Sequence, residues 1–166
     1  LVAGRPHGGK PTITFFCHHA IAPWNPTHVE IVGLGGSEGS VIYLARELAK
    51  RGSPVHLYCP GGGSVPRAKD GILWWHLSQF NPKNVQGILI ACRAPWVMRD
   101  VSLKAQTFIW HQDNGYGNAW QWGPEVEAKS AGSLHVSEWA KNSLISELGG
   151  VDKTDLSRHH VIGNGI

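Results

Sequence analysis

The sequence predicts an α/β protein in which one parallel sheet is flanked by helices. Three observations carry that expectation. Short β-rich runs alternate with a helical run or with turn-rich crossovers along the chain. One run, ILIAC within residues 86–95, is apolar without alternation, as in a strand buried on both faces. A glycine-rich turn, GLGGSEGS, leads directly into an amphipathic segment, VIYLARELAKRG.

The elements follow in order. TITFFCHHA, residues 12–20, is the first strand. A long loop with two prolines and four glycines comes next. A helix is expected over 39–51, because Val41, Leu44, Ala45 and Leu48 recur at i, i+3, i+4 and i+7 and so share one face. Gly52 and Pro54 stop it. PVHLYCP is the second strand. The turn-rich GGGSVPRAKDG separates it from ILWWHL, the third. QGILIACRAP holds the fourth, AQTFIWHQD the fifth and GSLHVS the sixth. Ser137 is placed to cap a helix over 138–148, and Gly149-Gly150 to end it. HHVIGNGI then reads as a short strand and turn. No repeat or linker divides the sequence, so residues 1–166 are read as a single domain.

Bulk composition narrows the function classes. A length of 166 residues supports one domain with a substantial core. Hydrophobic residues at 42% and charged residues at 16% exclude a disordered chain. No apolar run approaches the roughly 20 residues that span a bilayer, and a cytoplasmic setting is expected. A net charge of +3, with its basic residues scattered, gives no case for nucleic acid as a partner. Cys17, Cys59 and Cys92 lack CxxC spacing and read as free thiols. His18-His19 and His159-His160 place neighbouring rings on opposite faces of a strand, so no metal site is expected. Among eight tryptophans, Trp74 and Trp110 are expected in the core. Trp24, Trp120 and Trp122, in polar Gly/Pro/Asn settings, are expected in exposed or loop positions.

The glycine turn offers chemistry. Bare amides at Gly35 and Gly36, a hydroxyl at Ser37 and the positive end of a helix together suit a phosphate or diphosphate. The competing explanation is a tight turn that lets the first strand and its helix approach closely. A triphosphate P-loop requires Gly-Lys-Ser/Thr at the loop end, and Glu-Gly-Ser stands there. A dinucleotide fingerprint fits poorly. The glycines are off by one, and residues 51–69 hold no Asp or Glu for a ribose hydroxyl. A sugar-nucleotide enzyme, whose donor also carries a diphosphate, remains.

EIVGLGGSEGSVIYLARELAKRG, FNPKN, RAPW, WHQD, HVSEWAKNSLIS and VIGNGI together resemble the N-terminal, acceptor-side half of a GT-B glycosyltransferase of the family 4 kind. The resemblance runs over residues 12–166. It implies one Rossmann-like half of a two-domain enzyme. A C-terminal donor-binding domain is absent from this chain, so the chain by itself is expected to be incomplete or inactive. It implies transfer, with retention, of a sugar from a nucleotide-diphosphate-sugar to a hydroxyl acceptor (a glycan, a lipid-linked sugar or a small molecule). No metal or other cofactor is implied.

Residue by residue, the resemblance places Gly35, Gly36 and Ser37 on the donor phosphate and His111 and Asp113 in catalysis. Arg93, Gln112 and Glu138 become acceptor or donor contacts, and Asn164-Gly165 a hinge. The family commonly shows adjacent His-Asp where His111-Gln112-Asp113 stands, so His111 or Gln112 holds the histidine position. Arg93 has two readings, an anionic ligand or pairing with a carboxylate. Glu38 reads as a helix-start residue favourable to the dipole. Glu30 and Glu38 share Glu-x7-Glu spacing, yet they bracket the glycine turn and receive no catalytic role. Lipid-linked acceptors leave peripheral association at the inner membrane face open, although Arg46, Lys50 and Arg51 read as an ordinary solvated helix face. The alternatives are an NAD(P)-type oxidoreductase domain and a non-catalytic carbohydrate-binding domain using the Trp-rich loops.

Overall fold

Apolar, β-branched and aromatic runs set the strands, and these assemble into one eight-stranded sheet. The structure, a computed structural model, describes residues 9–18, 23–25, 28–31, 34–63, 65–99, 103–112, 123, 125–126 and 128–163. The strands are β1 (Ile13–Cys17), β2 (Val55–Cys59), β3 (Arg67–Lys69), β4 (Ile72–His76), β5 (Ile88–Cys92), β6 (Gln106–His111), β7 (Gly132–His135) and β8 (His159–Val161). Their order across the sheet is β3-β4-β2-β1-β5-β6-β7-β8. Every neighbouring pair is parallel except β3 and β4. The α/β parallel-sheet expectation holds, in Rossmann-like form.

Connectivity reverses once. From β1 the chain steps outward to β2 and β4, then returns to lay β5 on the other side of β1. The carboxyl ends of β1 and β5 therefore flank a topological switch point, where open α/β sheets leave a crevice.

The strand β3 was read from sequence as part of a turn. It forms a tight hairpin with β4, with Lys69 opposite Ile72. Asp70 and Gly71 both take positive φ, 55° and 76°. That is the type I′ geometry Asp-Gly favours.

Helices among the described residues include α1 (His28–Ile31), α2 (Gly36–Lys50) and α3 (Glu138–Glu147). Helix α2 begins three residues before the sequence-based start at 39, because its first turn accepts Gly36 to Gly39 with Gly35 as N-cap. Val41 and Ala45 are buried, while Leu44 and Leu48 pack against the same core from partly buried positions. The helix ends in a Schellman motif. Gly52 N–H donates to Ala49 O at 2.9 Å and Ser53 N–H to Leu48 O at 3.1 Å, with Gly52 at φ 85°. Helix α3 repeats the device. Gly149 N–H donates to Ser146 O and Gly150 N–H to Ile145 O. At its start, Ser137 Oγ accepts from Ala140 N–H at 3.1 Å, the expected cap.

Two cores sandwich the sheet. On the α2 side lie Phe15, Val41, Ile42, Ala45, Leu57, Ile72, Trp74 and Trp110. On the other side lie Phe16, Leu89, Ala91, Val97, Met98, Ile109 and Val126. Trp24 corrects a sequence expectation. It is 2% exposed, edge-on to Trp74 at 6.2 Å, and its carbonyl accepts from Gly61 N–H at 3.0 Å. A Cβ at Gly61 would lie 2.3 Å from that carbonyl. The polar flanks of Trp24 concealed a core anchor that ties its loop to the segment after β2. Trp120 and Trp122 lie outside the described residues.

Candidate functional site

The glycine turn opens at the switch point. Gly35 is the N-cap of α2 and offers no side-chain cap. The first helical bond is Gly39 N–H to Gly35 O at 3.0 Å. The amides of Gly36, Ser37 and Glu38 thus have no acceptor within the helix. Gly35 and Gly36 are exposed. A Cβ at Gly36 would meet nothing within 4 Å, and the same is true of Gly39. Neither residue takes positive φ. Close packing therefore does not explain why glycine stands at 36 or 39. At Gly35 a Cβ would meet only the Glu38 carboxylate, 2.6 Å from Oε2.

Glu38 folds back over the turn and faces Arg93. Their closest atoms, Oε1 and Nη1, are 3.9 Å apart, and both side chains are largely buried. Arg93 sits one residue beyond β5 with φ 55°, rare for a non-glycine residue. Its N–H donates to Trp110 O at 3.0 Å, which holds the chain in that bend. Of the two readings for Arg93, carboxylate pairing is the one present. Gln112 closes the arrangement. It is 8% exposed and its Nε2 donates to Ser37 O at 3.0 Å, linking the end of β6 to the start of α2. Cys17, Ser37, Glu38, Cys92, Arg93 and Gln112 line a crevice with room for little more than a water molecule.

His111 is not brought to this crevice. Its ring is 1% exposed, lies 4.9 Å from the His135 ring in a 13° stack, and places Nε2 3.3 Å from Ser133 Oγ. Burial above all, then the His135 and His159 rings, holds its proton affinity well below the ordinary imidazole range. The reason is strand alternation. Trp110 faces α2, so His111 faces away from it. Of His111 and Gln112, Gln112 is the residue at the glycine turn. Asp113 and the Asn164-Gly165 hinge lie outside the described residues. Glu138 begins α3 at the surface and pairs with Lys141 at 2.6 Å. Glu30 pairs with Lys69 and Arg46, and Arg46 also with Asp70. These pairs set the largely buried Arg46 guanidinium between two carboxylates.

Two features of the site were not assigned from sequence. The Glu38–Arg93 pair joins residues 55 positions apart in sequence and depends on strand order. Cys17 and Cys92 end adjacent strands in register and floor the crevice. Each closes an apolar run, which was the only signal. Burial raises the Cys17 thiol well above its ordinary value, with Cys92 adding to the effect, and lifts Cys59 to about 12. Such thiols are poor nucleophiles and metal ligands. Among the described residues, no group of three or more His, Cys, Asp or Glu is arranged to hold a metal ion. No described helix is long and apolar enough to cross a membrane.

A separate groove of about 690 Å³ runs along α2 beside the end of β8, lined by Tyr43, Leu44, Trp110 and Ile162 with Arg46, Glu47 and Lys50. Comparison with protein-family models and with curated proteins finds no match to this chain.

Proposed function

We propose that the chain is the acceptor-side half of a retaining glycosyltransferase that moves a sugar from a nucleotide-diphosphate-sugar to a hydroxyl acceptor. One observation carries the reading. The start of α2 has no side-chain cap and lies at the switch point, and its exposed Gly36 has open space where a Cβ would stand. The resemblance of GLGGSEGS, RAPW, WHQD and SEWAKNS to family 4 enzymes points the same way.

In this reading, negative charge grows on the donor diphosphate as the glycosidic bond breaks. Amides at 36–38 and the helix start stabilise that charge without reorganising. Arg93 exchanges the Glu38 carboxylate for a diphosphate oxygen. Gln112 holds Ser37 and so fixes the direction of the amides. Trp96, partly exposed after β5 and edge-on to His18 at 5.3 Å, would offer a flat surface to a sugar acceptor. A second domain supplies the nucleotide pocket, and this chain by itself turns over little donor. The reaction belongs on the cytoplasmic side, with no metal in the site.

Calorimetry on the full chain tests the reading. Nucleoside diphosphates and inorganic pyrophosphate are expected to bind with millimolar or tighter affinity, and Arg93→Gln to weaken both about tenfold, the effect of losing one charge-assisted hydrogen bond. Binding of a nicotinamide dinucleotide with none for nucleoside diphosphates would move the assignment to the oxidoreductase class.

A further inference from the structure

A second pocket lies at the other end of the sheet. It opens at the amino ends of β1, β2 and β5 and has a volume of about 270 Å³. Strand register builds its floor. Thr14 of β1 stands opposite His56 of β2, and Phe16 opposite Tyr58. Phe15 and Leu57 pack under α2, so alternation turns Thr14, His56 and Tyr58 to the other face. The wall is the loop after β4, which carries two single-turn 3₁₀ helices, Leu77–Gln79 and Pro82–Asn84. Asn81 and Asn84 line the pocket from this loop. Both belong to FNPKN, a stretch to which the glycine turn gives no role. Asn81 fixes the wall, since its Oδ1 accepts from Lys83 N–H at 3.0 Å. The Tyr58 ring is fixed as well. Trp75 stacks on it at 5.7 Å and 13°, and Phe80 meets it edge-on at 5.1 Å.

The lining has one chemical character. Among the described residues, hydroxyl, carboxamide, imidazole and apolar groups line the pocket, and no Asp, Glu, Lys or Arg does. Burial lowers the proton affinity of His56 and raises the Tyr58 pKa, so both are neutral near pH 7. Hydroxyl, carboxamide and neutral imidazole groups each donate and accept hydrogen bonds. Among the described residues, the side chains of His56 and Tyr58 have no hydrogen-bond partner. His56 also borders a second hollow of about 310 Å³, which runs past Pro54 and Leu73.

We propose that this pocket binds a neutral sugar unit of a glycan, at a site separate from the glycine turn. Sugar hydroxyls both donate and accept, as do the groups that line the pocket. The apolar face of a sugar ring matches Val85 and the Tyr58 ring. A phosphate or carboxylate would enter without a counter-charge. The volume stands at the low end of small-molecule sites, about 300–1,000 Å³, which suits one ring. The hollow beyond His56 receives the next unit. β1, five residues and about 16 Å long at roughly 3.3 Å per residue, separates this pocket from the glycine turn. The inference stands apart from the sugar-transfer reading, because neither site supplies a residue to the other.

Saturation-transfer NMR on the full chain tests the site, with glucose, galactose, mannose, N-acetylglucosamine, maltose, cellobiose and lactose as probes. At least one is expected to bind with millimolar affinity, and a disaccharide more tightly than its own monosaccharide. Asn84→Ala, at an exposed position, is expected to weaken that binding severalfold, and Tyr58→Phe to do the same by losing one hydroxyl. Inorganic pyrophosphate and Gly36→Ala should leave it unchanged. Silence from every probe, displacement by pyrophosphate, or wild-type affinity in both variants would overturn the proposal. Tighter binding of glucuronate than of glucose would overturn it too, because the pocket would then favour an anion. Should Tyr58→Phe not fold, Asn84→Ala and the pyrophosphate competition decide. Sugar binding here with no diphosphate binding at the turn would support this site and count against the sugar-transfer reading alone.

Discussion

The two halves of the sheet are held by different means. Around β1, β2 and β4 the interior is apolar, with Phe15, Leu57, Ile72, Trp24 and Trp74 packed under α2. Around β6, β7 and β8 the buried set includes Thr107, His111, Ser130, Ser133, His135 and His159. Apolar burial scales with area and does not depend on protonation near neutral pH. Among the stacked rings, His111 takes up a proton less readily than a free imidazole, chiefly because it is buried. One architecture thus contains a mainly apolar half, with His56 on β2 as a partly buried imidazole, and a half richer in buried polar side chains. The candidate site lies at the seam between them. Its amides come from the apolar half, and Gln112 reaches it from the polar one.

The largest effect should come from the apolar half. Leu57→Ala, at a fully buried position, is expected to cost about 2–5 kcal/mol in denaturant unfolding. That cost should be the same at pH 7.5 and pH 5.5. A cost that shrinks in acid would mean the halves share one pH-sensitive core. Next in size is the pH dependence of the whole chain. Wild-type stability is expected to be flat above pH 6.5 and to fall by about 1.4 kcal/mol per pH unit below it for each histidine that stays neutral in the fold. A rise in stability on acidification would break the comparison outright. Smaller again is Ser137→Ala at the start of α3, expected to cost about 1 kcal/mol by loss of the cap. That loss should appear in exchange from α3 and β8 before it reaches β1.

Much of this fold was legible in the sequence because local rules agreed with it. The spacing of Val41, Leu44, Ala45 and Leu48 identified the buried face of α2. Gly52 and Gly149-Gly150 marked two Schellman ends, and the unbroken ILIAC marked a central strand. Other parts depend on strand order, which no local rule supplies. His111, His135 and His159 lie 24 residues apart in each step and meet only once β6, β7 and β8 are adjacent in register. Glu38 and Arg93 meet only because β5 returns beside β1. The burial of Trp24 depends on Gly61, two residues beyond β2, coming within hydrogen-bond distance. The hairpin of β3 and β4 is a different case. Asp70-Gly71 was a local signal, outweighed by the surrounding turn-forming residues.

The site was legible as a glycine turn, but not in its geometry. The resemblance put His111 in catalysis, and alternation along β6 turns it to the opposite face. Gly36 was open to two explanations, close packing or an approaching ligand, and the empty space before its Cα removes the first.

Gly36→Ala in the full chain, with melting temperature and nucleoside diphosphate affinity measured on one preparation, tests the central claim most directly. Alanine is a better helix former than glycine and meets no neighbour here, so stability should hold or rise by up to about 1 kcal/mol. A methyl group standing before the amides should weaken diphosphate binding about tenfold, an effect of about 1.4 kcal/mol. Unchanged affinity, or a lowered melting temperature, would contradict the account, because the glycine would then serve the fold and not a ligand.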